Sequence, residues 1–214
     1  QVLFPLYSEK QNNLEELQQM LRRNNQTIAF IIFPLMMLLM VIAEPVFTLL
    51  YGQKWIDAVP YFQILCIGGF FSALYNFSYY AVAAVGRSKA LFYWGCYKWG
   101  MLIILLLTGA SISMTGVLVA MVISNINIYI TNGLLVQRYI GYLLCRQLVD
   151  IVPVMCCTLI CGTVAYILYV LLGIHWVVVS ILFAALYFAV CRICKIEATE
   201  NVRHSVKSLV ERFR

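Results

Sequence analysis

The fold is decided by stretches such as residues 151–172, which read IVPVMCCTLICGTVAYILYVLL and contain no charged side chain. A helix of about 20 apolar residues is long enough to cross the hydrocarbon core of a bilayer. Six stretches meet this requirement, namely residues 28–50, 59–85, 91–108, 115–136, 151–172 and 175–192. The sequence therefore predicts an all-α polytopic membrane protein whose six transmembrane helices form one bundle.

The composition of the whole chain supports this fold class. Of its 214 residues, 63% are hydrophobic and only 11% are charged, whereas soluble domains carry about 25% charged residues. So few charges cannot cover a water-facing surface, which excludes an ordinary soluble protein. The net charge of +6 is not gathered into a basic patch outside the spans, so the expected partner is the lipid bilayer and not nucleic acid.

Lysine and arginine are distributed unequally between alternate loops. Thirteen of the 15 lie before the first span, between the second and third, between the fourth and fifth, or after the last. Lys54 lies on the opposite side, and Lys98 lies within the third span. Because cytoplasmic loops are enriched in Lys and Arg, we predict that both ends of this chain face the cytoplasm.

Amphipathic segments flank the predicted bundle on both sides. Asn13 followed by Glu16 has the spacing of a helix N-cap, and leucines at positions 14, 17 and 21 follow on one face, which predicts a short helix on the membrane surface. After the last span, apolar residues recur at helical spacing and basic residues lie on the opposite face, a pattern that is typical of interfacial helices. The predicted organisation is a cytoplasmic amphipathic segment, 1–27, the six-helix bundle, 28–192, and a basic amphipathic cytoplasmic tail, 193–214.

Lys98 is the leading candidate for a functional side chain. A charge at bilayer depth costs about 3 kcal/mol on insertion scales, and it usually faces a partner or a water-filled cavity. One interpretation is that Lys98 lines a path for an anionic substrate such as a phosphate or pyrophosphate headgroup. The other is that its side chain extends to the cytoplasmic interface, because it lies about two turns into the predicted third span.

Polar and proline residues within other spans leave similar alternatives open. Pro34, Glu44 and Pro45 in the first span predict a kink, because proline lacks a backbone N–H, and that kink is either a moving gate or a static bend. Seven small polar residues either line a polar interior or only form interhelical hydrogen bonds. They are Ser72, Asn76, Ser78, Ser124, Asn125, Asn127 and Asn132.

Motifs for catalysis or metal binding are nearly absent from the sequence. There is no glycine-rich phosphate loop and no two-histidine metal motif, and His175 and His204 are interpreted as solvated surface residues. Cys191 and Cys194 have the C-x-x-C spacing, but without a second pair or nearby histidines they are interpreted as apolar packing. No catalytic residue, metal or cofactor is predicted.

The first 88 residues carry a series of motifs in a characteristic order. They are Val2-Leu3-Phe4-Pro5, Ser8, Pro34, Ala43-Glu44-Pro45, Leu50-Tyr51-Gly52-Gln53-Lys54-Trp55, Ala58, Pro60 and Ala84-Val85-Gly86-Arg87-Ser88. This series resembles the polysaccharide and lipopolysaccharide biosynthesis exporters, including O-antigen exporters. These are lipid-linked oligosaccharide flippases of the multidrug/oligosaccharidyl-lipid/polysaccharide exporter superfamily.

The resemblance implies a function in the bacterial inner membrane. Such exporters move an undecaprenyl-pyrophosphate-linked oligosaccharide outward by alternating access between two helical bundles. This chain, which begins without an initiator methionine, would be the C-terminal bundle, with the N-terminal bundle of the same polypeptide as its partner. Lys98 is then expected in the substrate cavity with Asn76 on the path, and Arg87 and Lys89 are expected at its entrance or as topology determinants.

A membrane-embedded enzyme acting on lipid-linked sugars is the alternative function. A glycan polymerase or acyltransferase needs acid, base or arginine groups near the outer face. The predicted outer loops contain only Lys54, Asp57 and His175 as candidates, which favours the exporter.

Overall fold

The computed structural model describes residues 7–10 and 13–194. Its helices are α1 (Leu14–Val41), α2 (Ala43–Tyr51), α3 (Val59–Ala84), α4 (Ser88–Ala110), α5 (Met114–Ile140), α6 (Leu144–Tyr166) and α7 (Trp176–Ile193). A 3-10 turn, Gln53–Ala58, leads into α3, and a π-helical turn, Ile167–Leu171, extends α6. Six of the helical segments in these residues are long and apolar enough to cross a membrane, which confirms the predicted six-helix membrane fold. The predicted basic tail begins at residue 193, and its residues from 195 onward lie outside the described part of the chain.

Local capping residues set several of the helix ends. The Asn13 side chain accepts a hydrogen bond from the Glu16 backbone N–H at 3.3 Å and donates to the Glu16 carboxylate at 2.9 Å, as the spacing of these two residues predicts. Ser113 caps α5 by accepting from the Gly116 N–H at 3.0 Å. At the other end of α5, Gly141 has a φ of 83°, a left-handed conformation that glycine adopts without strain.

Helix α1 is longer than the sequence indicates. The predicted surface helix and the first span form one continuous helix of 28 residues. The reason is that Leu17 and Leu21 of the predicted apolar face are fully buried in one cluster with Ala81 of α3 and Val136 of α5, although Leu14 is exposed. The amphipathic face therefore packs on protein within this bundle instead of lying separately on a surface.

The core consists of two clusters of buried side chains. The larger one joins α1, α6 and α7 through residues such as Phe30, Phe33, Cys161 and Phe183. The smaller one, around Leu17 and Leu21, joins the start of α1 to α3 and α5. Helix α4 buries only three residues, Leu91, Trp94 and Gly109, so most of its surface faces away from the core formed by the described residues.

Candidate functional site

Lys98 lies near the middle of α4. The helix begins at Ser88, three residues before the predicted span, and ends at Ala110. With a rise of 1.5 Å per residue, Lys98 is about 15 Å from the first residue of the helix. Lys98 is thus almost three turns from the start of the helix and, as predicted from the sequence, about two turns from the start of the apolar run at residue 91.

Three aromatic rings surround the half-buried Lys98 ammonium group. Its Nζ lies 5.0 Å from the ring centroid of Tyr75, 5.4 Å from that of Trp99 and 5.6 Å from that of Trp94. A cation within about 6 Å of a ring face is attracted by the negative face of the π-system. Neither of the two ion pairs found in residues 7–10 and 13–194 involves Lys98, so no carboxylate of these residues neutralises the ammonium.

The rings and polar groups near Lys98 are held by hydrogen bonds to α5. The Trp94 Nε1–H donates to Thr131 Oγ1 at 3.2 Å, and the Tyr97 hydroxyl donates to Asn127 Oδ1 at 2.8 Å. The Asn132 side chain, which is fully buried, donates to the backbone carbonyl of Tyr75 at 2.6 Å. These bonds fix Tyr75 and Trp94 relative to α5, and thereby fix two of the three rings that face the ammonium.

The remaining polar residues predicted for the interior divide into two groups. Those of α3 bond within their own helix: Ser72 donates to the Gly69 carbonyl at 3.2 Å, and the exposed Asn76 donates to the Ser72 carbonyl at 3.0 Å. On α5, the buried Ser124 hydroxyl has no hydrogen-bond partner among the described residues. Asn127 and Asn132, also on α5, link helices through hydrogen bonds: Asn127 bonds to Tyr97 of α4, and Asn132 bonds to the Tyr75 carbonyl of α3.

Arg87 and Lys89 lie at the start of α4, away from Lys98. Both are exposed, and the Arg87 guanidinium lies over the ring of Tyr139 at 5.4 Å from its centroid. Lys89 precedes Lys98 by nine residues, or about 14 Å along the helix. The structure does not bring these three cations into one cluster.

Pro34 leaves a backbone carbonyl of α1 without its usual helical partner. In a regular helix the N–H of residue 34 would donate to the carbonyl of Phe30, four residues earlier, but proline has no N–H. The hydroxyl of Tyr187, on α7, donates to that carbonyl at 3.0 Å in a buried position. The sequence predicts the kink but gives no indication that Tyr187 supplies the missing bond.

The second proline of the predicted kink interrupts the first span. Pro45 cannot donate to the carbonyl of Val41, and the helix breaks at Ile42, between α1 and α2. Next to this break the side-chain amide of Gln63, on α3, donates to the Met40 carbonyl at 2.9 Å. The break is thus stabilised by a neighbouring helix, and Gln63 is another residue that sequence reasoning missed.

Glu44 lines a cavity beside this break. The cavity is about 690 Å³ and lies between α1, α3 and α6, with Gln63, Thr163 and Tyr166 among its lining residues. Glu44 is exposed, and its surroundings are mainly apolar. Glu44 thus lies next to the helix break and beside a cavity whose lining does not include Lys98.

An ion pair between α1 and α6 was also missed. Arg22 Nη2 lies 2.9 Å from Asp150 Oδ1, and the Tyr142 hydroxyl donates to the other oxygen of the same carboxylate. Tyr142 is buried in the loop between α5 and α6, and its burial together with the nearby Asp150 raises the pKa of its phenol well above the usual value. The phenol therefore stays protonated and can donate to Asp150.

The described residues offer no obvious place for a metal. Within 7–10 and 13–194, no three His, Cys, Asp or Glu side chains are grouped as metal ligands would be. All eight cysteines are free thiols, and Cys66, Cys157, Cys161 and Cys191 are buried. Buried thiols in apolar surroundings behave as small hydrophobic groups.

Comparisons with known proteins support the resemblance seen in the sequence. A family model described as a polysaccharide biosynthesis protein matches residues 1–60. The chain is 28% identical over 93 residues to the teichuronic acid biosynthesis protein TuaB of Bacillus subtilis, and this match covers 44% of the chain and 19% of TuaB. No solved structure matches the chain significantly.

Two further relatives have names of the same kind. The chain is 31% identical over 75 residues to the lipopolysaccharide biosynthesis protein WzxC of Escherichia coli, covering 35% of the chain and 15% of WzxC. It is 30% identical over 94 residues to the succinoglycan biosynthesis transport protein ExoT of Rhizobium meliloti, covering 44% of the chain and 19% of ExoT. The aligned regions span less than a fifth of these relatives. The comparisons thus confirm the resemblance to polysaccharide biosynthesis and export proteins, and the described residues of the chain form six helices that are long and apolar enough to cross a membrane.

Proposed function

We propose that this multi-pass membrane protein of the polysaccharide biosynthesis type is part of a flippase for an undecaprenyl-pyrophosphate-linked oligosaccharide. It lies in the bacterial inner membrane with both ends of this segment in the cytoplasm, and a second helical bundle of the same polypeptide completes the substrate cavity. Lys98 faces that cavity and attracts the pyrophosphate, while the prenyl chain remains in lipid. The bundle alternates between inward-facing and outward-facing states.

The observation that carries this proposal is the environment of Lys98. Its ammonium lies halfway along a membrane helix, next to three aromatic rings, and outside the two ion pairs of the described residues. Placing an unneutralised charge there is costly, and such charges in membrane proteins usually serve a substrate or ion pathway. A pyrophosphate is the complementary anion in a lipid-linked sugar, and rings such as Trp99 offer flat apolar surfaces beside it.

The proposal is tested by Lys98→Met in cells whose only copy of the protein is the variant. Methionine keeps the length and apolar volume of the side chain but removes the charge. We expect the surface polysaccharide to fall severalfold, because the pyrophosphate loses its charged partner, and Lys98→Arg to restore most of it. The measurement is the amount of surface polysaccharide at equal membrane levels of the protein.

Lys54→Met is the matched control. Lys54 is also a single lysine, but it is exposed in the turn that leads into α3. Its replacement is expected to leave export unchanged. If the Lys98→Met variant is present in the membrane and exports polysaccharide at the wild-type level, Lys98 has no role in the mechanism.

The location of the unexported intermediate separates a flippase from the enzyme alternative. Loss of a flippase leaves the lipid-linked oligosaccharide on the cytoplasmic face, whereas loss of a polymerase leaves single units on the outer face. The similar protein ExoT is named a transport protein, which favours the flippase. Accessibility of the accumulated sugar to an impermeant lectin decides between them.

A further inference from the structure

A polar pocket lies between the beginning of α1 and the loop that joins α5 to α6. Its volume is about 530 Å³, within the range of small-molecule sites. The lining includes the charged side chains of Glu15, Arg22, Arg146 and Asp150, together with Gln18 and Tyr142. None of these residues belongs to the surroundings of Lys98 or to the cavity beside Glu44.

The charges of this pocket are balanced, and one pair of them is held in place. The lining contains two arginines and two carboxylates. The Arg22–Asp150 pair, at 2.9 Å, ties α1 to α6, and Asp150 is held a second time by the Tyr142 hydroxyl. The Asp150 side chain is only 13% exposed, whereas that of Arg22 is 46% exposed. Asp150 is thus largely part of the wall, whereas nearly half of the Arg22 side chain remains exposed.

The position of the pocket along the helices matches the depth of lipid headgroups. Arg22 precedes the apolar run of α1, which starts at residue 28, by about 9 Å of helix. Asp150 immediately precedes the apolar run of α6, which starts at residue 151. Both side chains that form the ion pair therefore lie at the same boundary between polar and apolar segments, on the side predicted to face the cytoplasm.

We propose that this pocket binds the zwitterionic headgroup of a primary-amine phospholipid, a phosphoethanolamine group. The phosphate would lie against Arg22 and Arg146, which donate charge-assisted hydrogen bonds to phosphate oxygens. The ammonium would lie against Glu15 and the oxygen of the Gln18 amide. The acyl chains would follow the apolar surface of the neighbouring spans. This inference does not depend on which molecule the protein transports.

The balance of charges selects this ligand over other headgroups. A purely anionic headgroup such as phosphatidylglycerol contacts the arginines but brings no cation for Glu15, the carboxylate of the lining that is not paired with Arg22. Phosphatidylcholine carries the same charges, but its trimethylammonium group has no N–H to donate. A site built to accept hydrogen bonds discriminates strongly against a ligand that cannot supply them.

The test measures thermal stability of the intact protein in nanodiscs of defined composition. We expect a higher midpoint in phosphatidylcholine discs that contain about a quarter phosphatidylethanolamine, because a lipid that binds the native state stabilises it by mass action. The same fraction of phosphatidylglycerol should give a smaller shift. Glu15→Gln and Arg146→Gln should each remove most of the phosphatidylethanolamine effect while changing the midpoint in pure phosphatidylcholine little.

Arg23→Gln is the matched control for surface charge. Arg23 is the exposed neighbour of Arg22 and is absent from the pocket lining, so its loss should preserve the lipid effect. The proposal is overturned by an equal shift with phosphatidylglycerol, which would indicate a simple anion site, or by equal loss of the effect in Arg23→Gln. A full shift with soluble phosphoethanolamine, and no gain from the lipid, would overturn the assignment to a lipid.

Discussion

Replacing Gly109 by alanine is expected to destabilise the protein by about 2 to 3 kcal/mol, a large effect for one methyl group. Gly109 lies at the end of α4 and faces Gly116 at the start of α5. A Cβ at position 109 would lie 2.6 Å from the Gly116 carbonyl oxygen and 2.8 Å from its carbon. Both atoms belong to the backbone, so the two helices would have to separate to make room.

The close contact between α4 and α5 involves a glycine on each helix, so a substitution at the second glycine also tests it. A Cβ on Gly116 would lie 2.6 Å from the Gly109 carbonyl oxygen, so Gly116→Ala should be similarly destabilising. Small residues at such contacts allow membrane helices to pack closely. The measurement is the unfolding midpoint in mixed micelles as the denaturing detergent is increased.

Gly100→Ala is the control, because it makes the same change in the same helix. Apart from its chain neighbours and the backbone of the adjoining helical turns, no heavy atom of the described residues lies within 4 Å of a Cβ placed at position 100. Alanine has a better helix propensity than glycine by up to about 1 kcal/mol, so Gly100→Ala should be neutral or stabilising. If Gly109→Ala and Gly100→Ala unfold at the same point, the close approach of α4 and α5 described above is incorrect.

Replacing Tyr187 by phenylalanine is expected to cost about 1 to 3 kcal/mol, the penalty for leaving a buried polar group unsatisfied. The variant keeps the ring, which packs against Phe30 with centroids 5.3 Å apart. It removes only the hydroxyl that donates to the Phe30 carbonyl. Because Pro34 cannot donate to that carbonyl, no regular helical bond replaces the lost one.

A double-mutant cycle with Pro34→Ala isolates this explanation. With alanine at position 34, a backbone N–H is again present to donate to the Phe30 carbonyl. Tyr187→Phe should then cost at least about 1 kcal/mol less than it does in the presence of Pro34. An equal cost of Tyr187→Phe in both backgrounds would show that Tyr187 does not compensate for the proline.

The fold was predictable because crossing a bilayer is a property of consecutive residues. Each span requires one uninterrupted apolar run, and a run such as 151–172 is visible without any knowledge of tertiary contacts. The break after Val41 follows from Pro45 for a similarly local reason. In contrast, the packing of Leu17 and Leu21 depends on surfaces contributed by α3 and α5, so the sequence alone suggested a separate surface helix.

The surroundings of the candidate residues were much harder to predict. Tyr187 is separated from Phe30 by 157 positions, and no periodicity links two such residues. Asp150 lies at the edge of a predicted span, and nothing in its local sequence indicates that Arg22 and Tyr142 hold it in place. Lys98 could be singled out because a charge within an apolar run is locally unusual, but its three aromatic neighbours come partly from another helix.

The rings around Lys98 also give the protein an internal optical reporter. The chain has four tryptophans, and the indole rings of Trp94 and Trp99 lie 5.6 Å and 5.4 Å from the Lys98 ammonium. The emission wavelength of an indole responds to the electric field across its ring, and an anion that approaches Lys98 would offset much of the field of the ammonium. Ligand arrival at this position can therefore be followed by intrinsic fluorescence, without attaching a dye.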